Sequence, residues 1–181
     1  MSRPTRLDRD RAALIVVDVQ EAFRPAVPAF EDVARGAATL VRGCSEMGVP
    51  VTVTEQYPRG LGNTVPEVAE HLPAGTEPID KVAFSAAEAE GFDLGGRDQA
   101  IVCGVEAHVC VNQTVLDLLD RGVDVQVASD AVGSRTPENR DLGLRRAEAA
   151  GAQLTSVEMA LFELLRGADA AEFKSVQSLV K

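Results

Sequence analysis

The chain is poor in the residues that most often announce a function. It carries only two histidines, His71 and His108, three cysteines without paired spacing, and 18 Lys and Arg that nowhere gather into a patch. The lack of cysteine pairs excludes a disulfide scaffold, and with no signal peptide visible in Met1–Arg6 it points to a reducing cytoplasm. The lack of a basic patch, in a chain of net charge −10, argues against a nucleic-acid partner and against an anionic membrane surface. No apolar run is long enough to span a bilayer. Neither a G-x-G-x-x-G at the first strand-to-helix turn nor a P-loop is present, which removes the common nucleotide-cofactor roles. No repeat, low-complexity tract or linker divides the 181 residues, so with 45% hydrophobic content they read as one domain, residues 1–181, with a substantial core.

What is present is an alternation of short apolar runs and helical patterns. Ala13 to Val17 is a continuous apolar run of the kind buried on both faces of a parallel sheet, and it ends at Asp18. A helix is predicted from about Phe30 to Met47, stopped by Gly48 and Pro50, and Val51 to Thr54 restarts the sheet. Further strands are expected near Asp80–Val82, taken as a middle strand, at Gln99–Cys103, at Val123–Ala128 and at Leu154–Val157. Helices are expected from about Val111 to Arg121, after Thr136 with Pro137 at the first position, and over Met159–Leu165 and Ala170–Val180. This βα alternation predicts a three-layer α/β/α sandwich around a mostly parallel, Rossmann-like sheet.

Such sheets hold ligands outside the carboxyl ends of their strands. Asp18 and Lys81 stand at strand ends, and Cys110 follows the strand that starts at Gln99, where a glycine-marked turn passes into a helix. A thiol at a helix N-terminus meets unpaired N–H groups and the positive end of the dipole, which favour thiolate and lower its pKa below the free value of roughly 8.5. That is a place for a nucleophile, although a free cysteine also serves as a small buried hydrophobe. Cys103, inside an apolar strand, and Cys44, in a helical stretch, read as inert packing. Taken singly, Asp18 also reads as a turn cap and Lys81 as a solvated lysine.

Together, Ile15-Val16-Val17-Asp18-Val19-Gln20-Glu21-Ala22-Phe23, Lys81-Val82-Ala83-Phe84-Ser85 and Gly104-Val105-Glu106-Ala107-His108-Val109-Cys110-Val111 occur in an order that resembles the isochorismatase-like cysteine hydrolases. The resemblance runs from about residue 10 to about residue 165, and Thr54 to Gly62 brings it nearest to the isochorismatase domain-containing branch. It implies Asp18 as catalytic base, Lys81 as its electrostatic partner and Cys110 as nucleophile. It also implies a cis peptide between Val105 and Glu106, with the backbone N–H groups of Glu106 and Cys110 as an oxyanion hole. Phe23, Tyr57, Phe84 and His108 are candidate pocket linings, for which core or surface packing serves equally well.

The chemistry is coherent on the residues themselves. A carboxylate within reach of a thiol can take its proton, and a nearby ammonium favours the charged forms of both. The expected reaction is hydrolysis of a small molecule at an amide-type C–N bond through a thioester. The alternative is a ligand-binding or protein-interaction member of the family with little hydrolysis. Metal-binding relatives place an acidic residue and histidines after the second strand, where this chain has Glu55-Gln56-Tyr57, so no metal and no cofactor are expected. A homo-oligomer is expected, with the apolar helix face of Leu161, Leu164 and Leu165 as a candidate contact.

Overall fold

At the centre of the molecule lies β1 (Ala12–Val17), whose six residues are all buried because helices cover both faces of the sheet it belongs to. The computed structural model describes residues 5–181, so the start of the N-terminal stretch considered above lies outside the described residues. Around β1 stand β2 (Val51–Gln56), β3 (Ile79–Lys81), β4 (Gln99–Val105), β5 (Asp124–Gly133) and β6 (Gln153–Thr155), in the spatial order β3-β2-β1-β4-β5-β6. All five pairings are parallel. The order reverses direction between β1 and β4, which makes the carboxyl ends of those two strands the switch point where such sheets open a crevice.

Alternation along the strands sorts the core into two layers. Leu14 and Val16 of β1, with Ile101, Cys103 and Val105 of β4, face α1 (Phe30–Glu46), α6 (Val157–Leu165) and α7 (Phe173–Leu179). Ile15 and Val17, with Ala100 and Val102, face α4 (Cys110–Asp120) and α5 (Pro137–Ala150). Two short helices, α2 (Pro58–Leu61) and α3 (Pro66–Ala69), each opened by proline, fill the β2–β3 connection. This is a three-layer α/β/α sandwich with an all-parallel sheet.

Gly104 is required where it stands. Its φ is +119°, and a Cβ there would lie 2.0 Å from the Val17 carbonyl oxygen, so only glycine lets β4 approach β1 at the end that carries the switch point.

Several expectations are corrected. Lys81 belongs to an edge strand, not a middle one. β5 does not stop at Ala128. It bulges through polar Ser129 and Asp130, which bond Thr155 O and Val157 N, and then resumes with Val132 opposite Gly104. Asp124, one residue later than expected, opens it. The last strand ends at Thr155 because the Ser156 side chain caps Met159 N and starts α6 there, and the final helix is confined to Phe173–Leu179. Leu161, Leu164 and Leu165 form no outward face: all three are buried in the core, and α6 exposes Met159 and Phe162 instead. No helix among the described residues is long and apolar enough to cross a membrane.

Candidate active site

Three buried groups from three segments converge at the switch point. Asp18 directly follows β1 and has a left-handed backbone (φ 53°), a conformation that costs a non-glycine residue about 1–2 kcal/mol. Its N–H is held by Thr54 O at 3.1 Å. Asp18 Oδ1 accepts from Thr54 Oγ1 at 2.8 Å, and Oδ2 accepts from Lys81 Nζ at 2.7 Å. Cys110, only 5% exposed, is the first residue of α4, and both Asp18 and Lys81 lie close enough to act on its thiol.

Lys81 reaches this cluster from the sheet edge because its side chain turns inward while its neighbour Asp80 faces out. Besides Asp18, its ammonium meets Gln56 Oε1 at 2.7 Å, Phe84 O at 2.9 Å and Ala83 O at 3.3 Å. Gln56 was not legible as a site residue, yet its Oε1 also lies 4.0 Å from Cys110 Sγ and its Nε2 donates to Val82 O. Behind it, Gln20 is fully buried and brackets the Gln56 backbone. Gln20 Oε1 accepts from Gln56 N at 2.8 Å, and Gln20 Nε2 donates to Gln56 O and Gly62 O at 3.1 and 2.6 Å. The signal for Gln20 was its place two residues after Asp18, and for Gln56 its place inside the Thr54–Gly62 motif, which assigned it no role of its own.

The segment between β4 and α4 is pinned from the other side. The Val105–Glu106 peptide is cis. Ala107 N donates to Gly133 O at 2.8 Å, His108 Nδ1 lies 3.1 Å from Ser134 Oγ, and the Glu106 carboxylate accepts from the backbone N and the guanidinium of Arg135. Gly143 of α5 lies so close that a Cβ would come within 2.5 Å of Ala107 O. The residue before the helix, Val109, supplies no side-chain cap, and among the described residues neither Glu106 N nor Cys110 N makes a hydrogen bond. The helix therefore begins with free donors beside the thiol.

The electrostatics correct one expectation. Burial, followed by the charge of Asp18, pushes the Cys110 thiol up to about 12, against the opposing pull of Lys81. Burial also raises Asp18 above the ordinary carboxylate range, with Lys81 and Thr54 acting the other way. Glu106 is raised by burial but brought below its usual value by the Arg135 hydrogen bonds.

The candidate linings divide. Tyr57 and Phe84 are 56% and 52% exposed on either side of the Lys81 segment, and His108 is half-buried against Ser134. Phe23 packs partly buried against the α1 face of the core. Cys44 and Cys103 are both fully buried. Glu55, where metal-binding relatives would place a ligand, is buried and accepts from Thr64 N and Thr64 Oγ1 at 2.6 and 2.7 Å. His71 is exposed, and no group of three metal-ligating side chains forms among the described residues, so the donors present do not fit a metal centre of that kind.

At the switch point of this all-parallel sheet the buried Asp18, Lys81 and Cys110 stand together. The isochorismatase domain model matches residues 12–159, and the chain belongs to that family. Isochorismatase domain-containing protein 2 of Danio rerio is 37% identical over 97% of this chain and 89% of its own. Among solved structures, the MAR1 ribonuclease from Caenorhabditis elegans is 38% identical over 97% of this chain and 92% of its own, with a TM-score of 0.92. YcaC from Pseudomonas aeruginosa, solved with hexane-2,5-diol and covalent acrylamide, is 28% identical over 99% and 93% (TM-score 0.86). The Escherichia coli YcaC product, an octameric hydrolase of unknown specificity, is 26% identical over 99% and 92% (TM-score 0.86).

Proposed function

We propose that the protein is a cysteine-dependent hydrolase of a small molecule, cleaving an amide-type C–N bond. The observation that carries this reading is the buried Asp18–Lys81 pair beside a thiol at an uncapped helix start. With the thiol pushed up to about 12, it attacks only if its proton leaves as it does so, and Asp18 is the base placed to take it. Cys110 Sγ bonds to the carbonyl carbon while the thiol proton passes to Asp18. The N–H groups of Glu106 and Cys110 receive the developing oxyanion. The C–N bond then breaks as Asp18 returns that proton to the leaving nitrogen, and a thioester remains. Water adds with Asp18 again as base, the C–S bond breaks, and the thiol is restored. Lys81 holds Asp18 in place and offsets the negative charge throughout.

The covalent acrylamide in the Pseudomonas relative supports an electrophile-reactive site of this kind. The ribonuclease name of the Caenorhabditis relative offers a second reading, but a net charge of −10 opposes the phosphate backbone that such a substrate would bring. The same proposal treats residues 1–181 as one hydrolase domain working in a reducing cytoplasm, as three free cysteines suit, and in a homo-oligomer, as the octameric relative suggests. Incubation with a panel of small amides and ureides, followed by intact-mass measurement, tests the core of the reading. An acyl adduct on Cys110 that is absent from Cys110→Ala supports it. A panel without adduct or turnover, but with saturable ligand binding, would assign the site to binding instead.

A further inference from the structure

Glu55 carries a buried charge that no cation among the described residues neutralises. It is 6% exposed, and alternation along β2 sends it to the face of the sheet opposite Thr54 and Gln56, which turn toward Asp18 and Lys81. Its Oε1 accepts twice, from Thr64 N and Thr64 Oγ1, whereas its Oε2 accepts from no donor among the described residues. Asn112 Oδ1 is the one side-chain oxygen or nitrogen among those residues that is sealed from solvent without a partner, so Glu55 Oε2 keeps an opening. That opening is a groove of about 570 Å³ bounded by α3 and the chain leading from it to β3. Its lining also includes Asn63, Thr76 and the exposed carboxylate of Glu77, with Leu72 and Pro78 as apolar wall. No Lys, Arg or His lines the groove, and among the described residues neither Glu55 nor Glu77 takes part in an ion pair.

We propose that this groove binds a small alkylammonium ion, at a site separate from the Asp18–Lys81–Cys110 cluster and independent of the hydrolase reading. A carboxylate held largely away from water without a counter-charge is unfavourable until a cation reaches it. The acceptors that remain free select the kind of cation. A guanidinium engages a carboxylate through two parallel N–H bonds, and with Oε1 committed to Thr64, Glu55 has one oxygen to offer. An ammonium has three diverging N–H donors and needs only one oxygen from each neighbour. Glu55 Oε2, the Glu77 carboxylate and the side-chain oxygens of Asn63 and Thr76 line the same groove. No group of three metal-ligating side chains gathers among the described residues, which disfavours a hard divalent cation that takes six or more oxygens. The groove exceeds an ammonium head in size, and Leu72 and Pro78 give a short alkyl chain apolar surface to cover.

Titration of the isotope-labelled full chain with n-butylammonium, followed by amide NMR shifts, tests it at about pH 7, where an alkylamine with a lysine-like pKa of about 10.4 is charged. Saturable shifts are expected at the amides of Asn63, Thr64, Thr76 and Glu77, with a Kd of about 10 mM or tighter, and none from neutral n-butanol. Glu55→Gln keeps an oxygen for the Thr64 donors and should weaken binding about tenfold or more. Glu77→Gln, at an exposed position, should weaken it about threefold or more. Glu70→Gln removes the same charge from the exposed end of α3, outside the groove, and should leave the affinity within about twofold. If Glu55→Gln fails to fold, the contrast between Glu77→Gln and Glu70→Gln decides. Equal losses from Glu70→Gln and the groove variants would reduce the effect to the general field of an acidic protein and overturn the proposal. It is equally overturned by the absence of saturable shifts up to about 100 mM, or by calcium or n-butylguanidinium binding more tightly than n-butylammonium.

Discussion

Replacing Lys81 with Met keeps the length and removes the charge of a side chain that is 1% exposed, beside an Asp18 side chain that is 0% exposed. Asp18 Oδ1 keeps its bond from Thr54, but Oδ2 loses its donor, as do Gln56 Oε1 and the carbonyls of Ala83 and Phe84. Removing one partner of a buried pair costs about 3–5 kcal/mol when the other stays charged. Asp18 escapes part of that by binding a proton, which is worth about 1.4 kcal/mol for each pKa unit by which the group is raised. Burial already raises Asp18, and without the Lys81 attraction it rises further. A carboxyl raised in the folded state contributes stability that is present below its unfolded pKa and lost as pH rises through its folded pKa. The deficit of Lys81→Met relative to wild type should therefore widen as pH rises from the ordinary aspartate value of about 3.9 into the neutral range and above. Urea denaturation across that range measures it, and a deficit that stays constant with pH would refute the reasoning. Hydrolysis should fall about 100-fold or more with the lost stabiliser. Lys81→Arg, with its rigid planar fork, should restore stability in part and little activity.

Gly104→Ala places a Cβ 2.0 Å from Val17 O at a φ of +119°, so we expect a loss of roughly 4 kcal/mol or more; an unchanged urea midpoint would contradict the close approach of β1 and β4. Limiting iodoacetamide followed by peptide mapping should label Cys110, which keeps 5% exposure and has Asp18 beside it as a base, ahead of the wholly buried Cys44 and Cys103. Because Asp18 is raised and acts as base when ionised, kcat/KM should fall with acid along a limb lying above the ordinary aspartate value of about 3.9, as a pH–rate profile would show. Any activity should survive exhaustive EDTA treatment; its loss and restoration by zinc would overturn the Asp18–Lys81–Cys110 mechanism.

The sheet was legible because β1 is uniformly apolar, β4 is apolar after Gln99, and both are punctuated by residues that end strands. The grouping of Asp18, Lys81 and Cys110 was legible only as three motifs in order. Chain segments that turn on local polar bonding were not: the Ser129–Asp130 bulge reads in sequence as a strand end, and Ser156 reads as strand until its cap to Met159 N is seen. The titration of Cys110 was hidden for a different reason. A helix N-terminus is visible in sequence, but the degree of burial and the nearness of the Asp18 charge, which push the thiol up, depend on packing between segments 92 positions apart. Gln56 was missed because its function lies in contacts to Lys81 and Cys110 that no periodicity encodes.

The Gln20 bracket separates two parts of the molecule that the chain joins directly. By gripping both polar groups of the Gln56 backbone, and Gly62 O as well, one buried amide fixes the point from which the exposed turn Tyr57–Leu61 departs and the point to which it returns. Beyond Tyr57, whose own N–H is bonded to Lys81 O at 2.9 Å, the turn can then change its side chains without dragging Gln56 with it. On the proposed hydrolase reading, the buried cluster of Asp18, Lys81 and Cys110 and the exposed turn are free to drift at different rates, one held by the bracket and the other released by it.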